Sequence, residues 1–97
     1  MIIAEFSVIP LGTGSTGVSC YVKEALDVLR KDERVRVKPG AMGSVIEADN
    51  LGDLFNAVGK AHEAVFKSGA KRVVSELKID DRRDNEASIE KKLGALK

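Results

Sequence analysis

An α+β fold with the element order β-α-β-β-α-β is what this sequence predicts, and three features carry the prediction. Two stretches of helical hydrophobic period separate four short stretches of strand character, a link of only a few residues joins the second strand to the third, and 97 residues leave room for one core. Each half is a strand, a helix and a strand that must cross over right-handed, so the split βαβ or ferredoxin-like sandwich follows. Its antiparallel sheet has the order 4-1-3-2, a short C-terminal helix is appended, and residues 1–97 read as a single domain.

The first strand spans residues 2–9, where Ile2, Ala4, Phe6 and Val8 alternate with Ile3, Glu5, Ser7 and Ile9, and Pro10 is expected to stop the ladder. After a glycine-rich loop, Val18, Val22, Ala25, Leu26 and Leu29 recur at helical spacing to about Asp32. "RVRVKPG" at 34–40 and "SVIEA" at 44–48 form an antiparallel hairpin. The second helix runs from Leu51 to Ser68, capped by Asp49 or Asn50 with Asp53 in the first turn, and closed by Gly69. "KRVVSELKID" at 71–80 is the last strand, and Asn85 to Leu96 a terminal helix with Ile89, Leu93 and Leu96 on one face.

Composition excludes several functions. Sixteen basic and fifteen acidic residues leave a net charge of +1, too little to draw in a polyanion. RNA-binding sheets of this topology display aromatics, whereas here only Phe6 lies in a strand, facing inward. Cys20 is the single cysteine, expected to be at least half-buried, so no internal disulfide or cysteine-rich metal site can form. His62 is expected to be packed or hydrogen-bonded rather than to ligate a metal. The N-terminal stretch has no signal-peptide character and no window spans a bilayer, so the chain is expected to be cytoplasmic.

"PLGTGSTGVS" at 10–19 matches two nucleotide motifs in part. Gly12, Gly14 and Gly17 give G-x-G-x-x-G, but the second strand ends in Lys38-Pro39 and turns back as a hairpin, where a dinucleotide fold needs an acidic strand end and a parallel continuation. The phosphate-loop reading fails on Val18, which stands in the lysine position. What remains is a strand-to-helix turn whose glycines permit positive φ, with Ser15 or Thr16 able to cap the helix, and whose free N–H groups would suit a small polar or phosphate-bearing ligand.

The predicted topology places the 11–17 loop on one rim with the hairpin "PGAMGS", where Thr13, Met42 and Ser44 could meet. Away from the helices the sheet presents Ile3, Glu5, Ser7, Ile9, Arg36, Lys38, Val45, Glu47, Val74, Glu76 and Lys78. That face is too apolar to be simply wetted and too charged to be a core, which suggests sheet-to-sheet packing of subunits or a ligand site lined by carboxylates. A catalytic carboxylate pair is disfavoured because Arg36 and Lys78 stand near Glu47 and Glu5. Asp80, Asp81, Arg82, Arg83 and Asp84 are expected to form an ion-paired turn or a subunit contact rather than a cation site.

Four segments, "SVIPLGTGSTGVSCYV", "MGSVIEAD", "HEAVFKSGAKRV" and "KIDDRRD", resemble in order and spacing the small thiamine-binding proteins of the YkoF-like superfamily, formerly an uncharacterised protein family. The resemblance spans nearly the whole chain. It implies a ferredoxin-like fold, dimers or tetramers assembled through sheet faces and edges, and non-catalytic binding of thiamine or its hydroxymethylpyrimidine moiety, with no cofactor. Where the family commonly reads M-G-T-x-I-E-G, Ser44 keeps the hydroxyl and Ala48 replaces a glycine. Such a ligand needs a carboxylate for its exocyclic amine, hydroxyls along its polar edge and an apolar surface for its rings. Combining strand faces with matched positions gives Ser7, Thr13, Met42, Ser44 and Glu47 as candidate binding residues, with no catalytic or metal-ligating residue. The alternatives are a structural oligomeric module without a ligand, or an enzyme acting on a small phosphorylated metabolite; neither nucleic acid nor membrane is an expected partner.

Overall fold

The computed structural model describes residues 1–14, 17–84 and 88–96. Its elements are β1 (Ile2–Leu11), α1 (Ser19–Lys31), β2 (Val35–Pro39), β3 (Ser44–Ala48), α2 (Leu51–Lys67), β4 (Arg72–Asp81) and α3 (Ile89–Gly94). The four strands form one sheet in the order β2-β3-β1-β4, with antiparallel neighbours throughout. This is the expected ferredoxin-like arrangement, in which two β-α-β halves interleave.

β1 sits at the centre, and its alternation decides the two faces of the sheet. Ile2, Ala4, Phe6 and Val8 are buried toward α1 and α2, joined by Ile46 and Ala48 of β3 and Val35 of β2. From the helices, Ala25 and Leu29 of α1 and Leu54, Ala57, Ala61 and Val65 of α2 close the core. Three of the six are alanines, so the helix backbones can lie close to the sheet.

The second helix is well terminated at both ends. Asn50 is its N-cap, accepting the Asp53 N–H on its side-chain oxygen at 2.8 Å. At the other end Gly69 turns the chain with φ 111°, its N–H donating to Phe66 C=O at 3.0 Å while the Ala70 N–H reaches Val65 C=O at 3.4 Å. That is the Schellman pattern, and both Ala70 and Val65 belong to the buried core. Gly12 and Gly14 take φ of 71° and 76° after β1, as the glycine-rich turn requires.

Several details differ from expectation. Pro10 does not end β1, which runs on to Leu11 paired with β4 alone, because the ladder to β3 stops at Phe6. The Phe6 carbonyl points toward Gly43 at the start of β3, and alternate residues point the same way. Pro10 therefore turns its nitrogen, which has no hydrogen, to the edge that β3 has left. On α1 the buried stripe is rotated: Tyr21 and Val28 pack on the core with Ala25 and Leu29, while Val22 is exposed. Cys20 is exposed too, because it lies outside that stripe in the first turn. Val18 is the N-cap of α1 and makes no side-chain cap bond; the proposed caps Ser15 and Thr16 lie outside the described residues. The terminal helix is short, and Asn85, its expected start, also lies outside them.

Replacing Leu54, which is fully buried, by alanine should cost about 2–5 kcal/mol in denaturant unfolding. Asn50→Ala should cost about 1 kcal/mol through loss of the cap. Phe55→Ala, at a half-exposed site on the same helix, should stay within about 1 kcal/mol.

Candidate functional site

The sheet face turned away from α1 and α2 is divided in two by the C-terminal helix. In the register, Ile3 stands opposite Glu47 and Asp80, Glu5 opposite Val45 and Lys78, Ser7 opposite Glu76, and Ile9 opposite Val74. α3 lies over the first of these rows. The Ile89 N–H donates to Glu47 Oε2 at 2.6 Å, and the Lys92 ammonium pairs with the Asp80 carboxylate. Ile3 and Glu47 are buried as a result, at 6% and 3% exposure.

A buried carboxylate is costly unless it is hydrogen-bonded and near a positive charge. Glu47 has both, with Arg36 Nη1 at 3.8 Å from Oε1 across the β2–β3 pair. Ser88 completes the helix start, its hydroxyl accepting the Lys91 N–H at 3.0 Å. Glu47 is thus the acceptor for the first helical N–H of α3, a group the helix cannot satisfy internally.

The rest of the face is open. A hollow of about 270 Å³ is lined by Glu5, Ser7, Glu76, Leu77 and Lys78. The Ser7 hydroxyl side chain lies between two carboxylate side chains, Glu76 across the β1–β4 ladder and Glu5 two residues back. Ile9 and Val74 continue the surface as exposed apolar side chains. The β2–β3 hairpin passes close by: a side-chain carbon at Gly43 would come within 3.1 Å of the Phe6 carbonyl and 3.6 Å of Ser7 Cβ. Chemically, the hollow offers two anionic acceptors, a hydroxyl and an ammonium beside aliphatic surface.

The five candidate residues do not converge on one point. Ser7 and Glu47 share the open-side face, separated by four register positions or about 13 Å. Ser44 pairs with Phe6 and so takes the helix-facing side of the sheet. Met42 is 93% exposed at the hairpin tip, next to the Gly43–Ser7 contact. Thr13 follows Leu11, which stands five residues beyond the Phe6–Ser44 pair, about 17 Å along the strand. The acidic partners of Ser7, Glu5 and Glu76, were visible as members of the open face but not as neighbours of Ser7; only the β1–β4 register reveals that.

Other groups are accounted for by local pairing. His62 Nδ1 is hydrogen-bonded to Ser75 Oγ at 2.6 Å, and its ring meets Phe66 edge-on with centroids 5.4 Å apart. Arg82 pairs with Asp84 and Arg83 with Asp81, each at 2.8 Å, and these guanidinium bonds hold both carboxyls below the usual aspartate range. The segment 80–84, the end of β4 and the three residues after it, is thereby ion-paired. Among the described residues no group of three or more His, Cys, Asp or Glu is placed to hold a metal, and no helix is long and apolar enough to cross a membrane. A larger groove, about 910 Å³, runs between α1 and α2, but its charged members Glu24, Lys60, Glu63 and Lys67 are all exposed.

Glu47→Ala removes the acceptor beneath α3. The amides of residues 89–94 should then exchange with solvent much faster, while those of β1 and β3 remain protected, as read by hydrogen exchange.

Comparison with known proteins places this geometry in a family. A UPF0045 protein of Methanothermobacter thermautotrophicus is 47% identical over 97 residues, covering 100% of this chain and 97% of the relative. A UPF0045 protein of Bacillus subtilis is 35% identical over 99 residues, covering 99% of this chain and 94% of its own. The crystal structure of a hypothetical protein from Methanocaldococcus jannaschii superposes with a TM-score of 0.88 at 45% identity, over 98% of this chain and 94% of that one. A Thermotoga maritima protein, whose suggested role is thiamine biosynthesis or salvage, shares the fold with a TM-score of 0.80 at 17% identity, over 99% and 98% of the two chains. The sequence pattern of the family described as "Thiamine-binding protein" matches residues 4–97, from the central strand through the helix that covers Glu47. With a match over nearly its whole length, this chain belongs to the thiamine-binding protein family.

Proposed function

We propose that the protein is a non-catalytic, cytoplasmic, oligomeric binder of thiamine or its aminopyrimidine moiety, and that the open hollow beside Ser7 receives the ligand. Membership of the thiamine-binding family supports the ligand class. The observation that carries the site is the grouping of Ser7 with Glu5 and Glu76 on the uncovered sheet face. An aminopyrimidine presents an exocyclic amine that a carboxylate accepts, and ring nitrogens that a hydroxyl or ammonium can serve. The thiazolium is a cation, favoured near Glu5 and Glu76. Ile9, Val45 and Val74 give the rings an aliphatic bed.

Binding of this kind needs no cofactor. His62 and Ser75, the one serine–histidine pair among the described hydrogen bonds, lie on the helix side of the sheet, away from the hollow. Met42, Ser44 and Thr13 do not line the hollow, and no contact with the ligand is assigned to them there. Ile9 and Val74, exposed at 45% and 38%, favour a sheet-to-sheet contact between subunits that would close the hollow from above. The second reading, an oligomeric module with no ligand, rests on the same apolar pair.

Titration calorimetry with thiamine, its phosphates and hydroxymethylpyrimidine separates the two. Saturable heat with one of them is expected; silence from all at millimolar concentration would sink the binding reading. Glu76→Gln should weaken binding about tenfold and Ser7→Ala about fivefold. Light scattering coupled to size exclusion should report a dimer or tetramer for both variants as for the parent chain.

A further inference from the structure

We infer that α3 is a removable cover over the second half of the ligand site, held by the Ile89 N–H on Glu47, and that ligand and helix compete for that carboxylate. This rests on the thiamine reading of the open hollow and extends it to the covered row of the same face.

The size of the hollow motivates the inference. At about 270 Å³ it falls just below the roughly 300–1,000 Å³ of small-molecule sites, room for one ring more readily than for two. The face continues directly toward Glu47: Glu5, which lines the hollow, pairs with Val45, and Glu47 is the next residue of β3 on that side, a diagonal neighbour at about 7–8 Å. On that side the lining stops at Glu5 and Lys78, and the next row, Ile3 and Glu47, lies beneath α3. Lifting the helix would join the two halves into a continuous strip of Ser7, Glu5 and Glu47 over Val45 and Ile3.

The cover is weakly held by its own structure. It has six residues, too few for a helix to be stable alone, none of them buried; Leu93 is 43% exposed, and Leu96 just beyond the helix 83%. Its attachments to the sheet include the Ile89–Glu47 hydrogen bond and the Lys92–Asp80 ion pair. Once uncovered, Glu47 would keep Arg36 beside it and meet water, and a ligand donor bound there would replace the Ile89 N–H without leaving the carboxylate buried and unpaired. An exocyclic amine or a ring cation supplies that donor or charge. The helix and a cationic aminopyrimidine are thus equivalent partners for one acceptor.

Proline substitution isolates the bond. Ile89 is the first helical residue, where proline fits and where its missing N–H removes the donor to Glu47. The preceding residue, Ser88, already has φ −149° and ψ 165°, a conformation that proline tolerates before it. Ile89→Ala loses the same side chain but keeps the N–H, and so serves as the reference. With thiamine and hydroxymethylpyrimidine as probes, Ile89→Pro should bind about tenfold tighter than Ile89→Ala, because the site no longer has to be uncovered first. Lys92→Ala, which loosens the helix without touching Glu47, should shift affinity in the same direction by less. Adding Glu47→Gln to Ile89→Pro should abolish the gain. By reciprocity, saturating ligand should speed hydrogen exchange of the 89–94 amides in the parent protein.

Equal affinities for the proline and alanine variants, with exchange of α3 unchanged by bound ligand, would overturn the cover while leaving the binding reading intact. No binding of either probe to the parent protein, Ile89→Pro or Lys92→Ala would overturn both.

Discussion

The register of β1 between β3 and β4 is the constraint on which the rest of this structure depends. β1 is hydrogen-bonded on both sides along Ile2–Phe6, and a slip of one residue would exchange Ile2, Ala4, Phe6 and Val8 for Ile3, Glu5, Ser7 and Ile9 against the helices. That exchange would bury a carboxylate and a hydroxyl under Leu54 and Val65. The apolar row therefore locks the register, and the polar row on the other side is placed with the same certainty. Core and site are two sides of one strand.

On the polar side the molecule has solved a problem of its own making. Glu47 lies on a central strand, where neighbours on both sides and a helix above exclude water, and a carboxylate there requires donors. Arg36 supplies charge from the neighbouring strand and the start of α3 supplies an N–H. The C-terminal segment is consequently tied to the sheet by polar contacts to Glu47 and Asp80 as well as by covering Ile3, while Leu93 and Leu96 stay outside. A helix attached in this way is a different object from α2, whose apolar face cannot leave the core without exposing four fully buried side chains.

Much of this was legible in the residue order. Alternation along residues 2–9, the helical period from Leu51 onward, and the short link at Pro39–Gly40 were enough for the topology and for which residues face the helices. The capping by Asn50 and the turn at Gly69 could be read because they are local chemistry. The extension of β1 past Pro10 was not legible, since it depends on β3 having ended four residues earlier on the adjacent position. The face of α1 was off by part of a turn, because Tyr21 and Val28 are as apolar to a periodicity as Val22 and Leu26, and only the direction of the sheet beneath distinguishes them.

Of the candidate site, the sequence by itself determined that one sheet face would carry carboxylates, hydroxyls and branched aliphatics together, because strand alternation is a property of the chain. It also sufficed to set aside the nucleotide readings of Gly12, Gly14 and Gly17, because the hairpin that excludes them is local. Only the tertiary structure decided that Ser7 sits between Glu5 and Glu76, that Ser44 turns to the helix side, and that Glu47 is occupied by Ile89, forty-two residues further along the chain. Those facts are matters of strand register and of where a short terminal helix comes to rest. Neither leaves a periodic trace in the residues, since both are set by the fit of distant segments to one another.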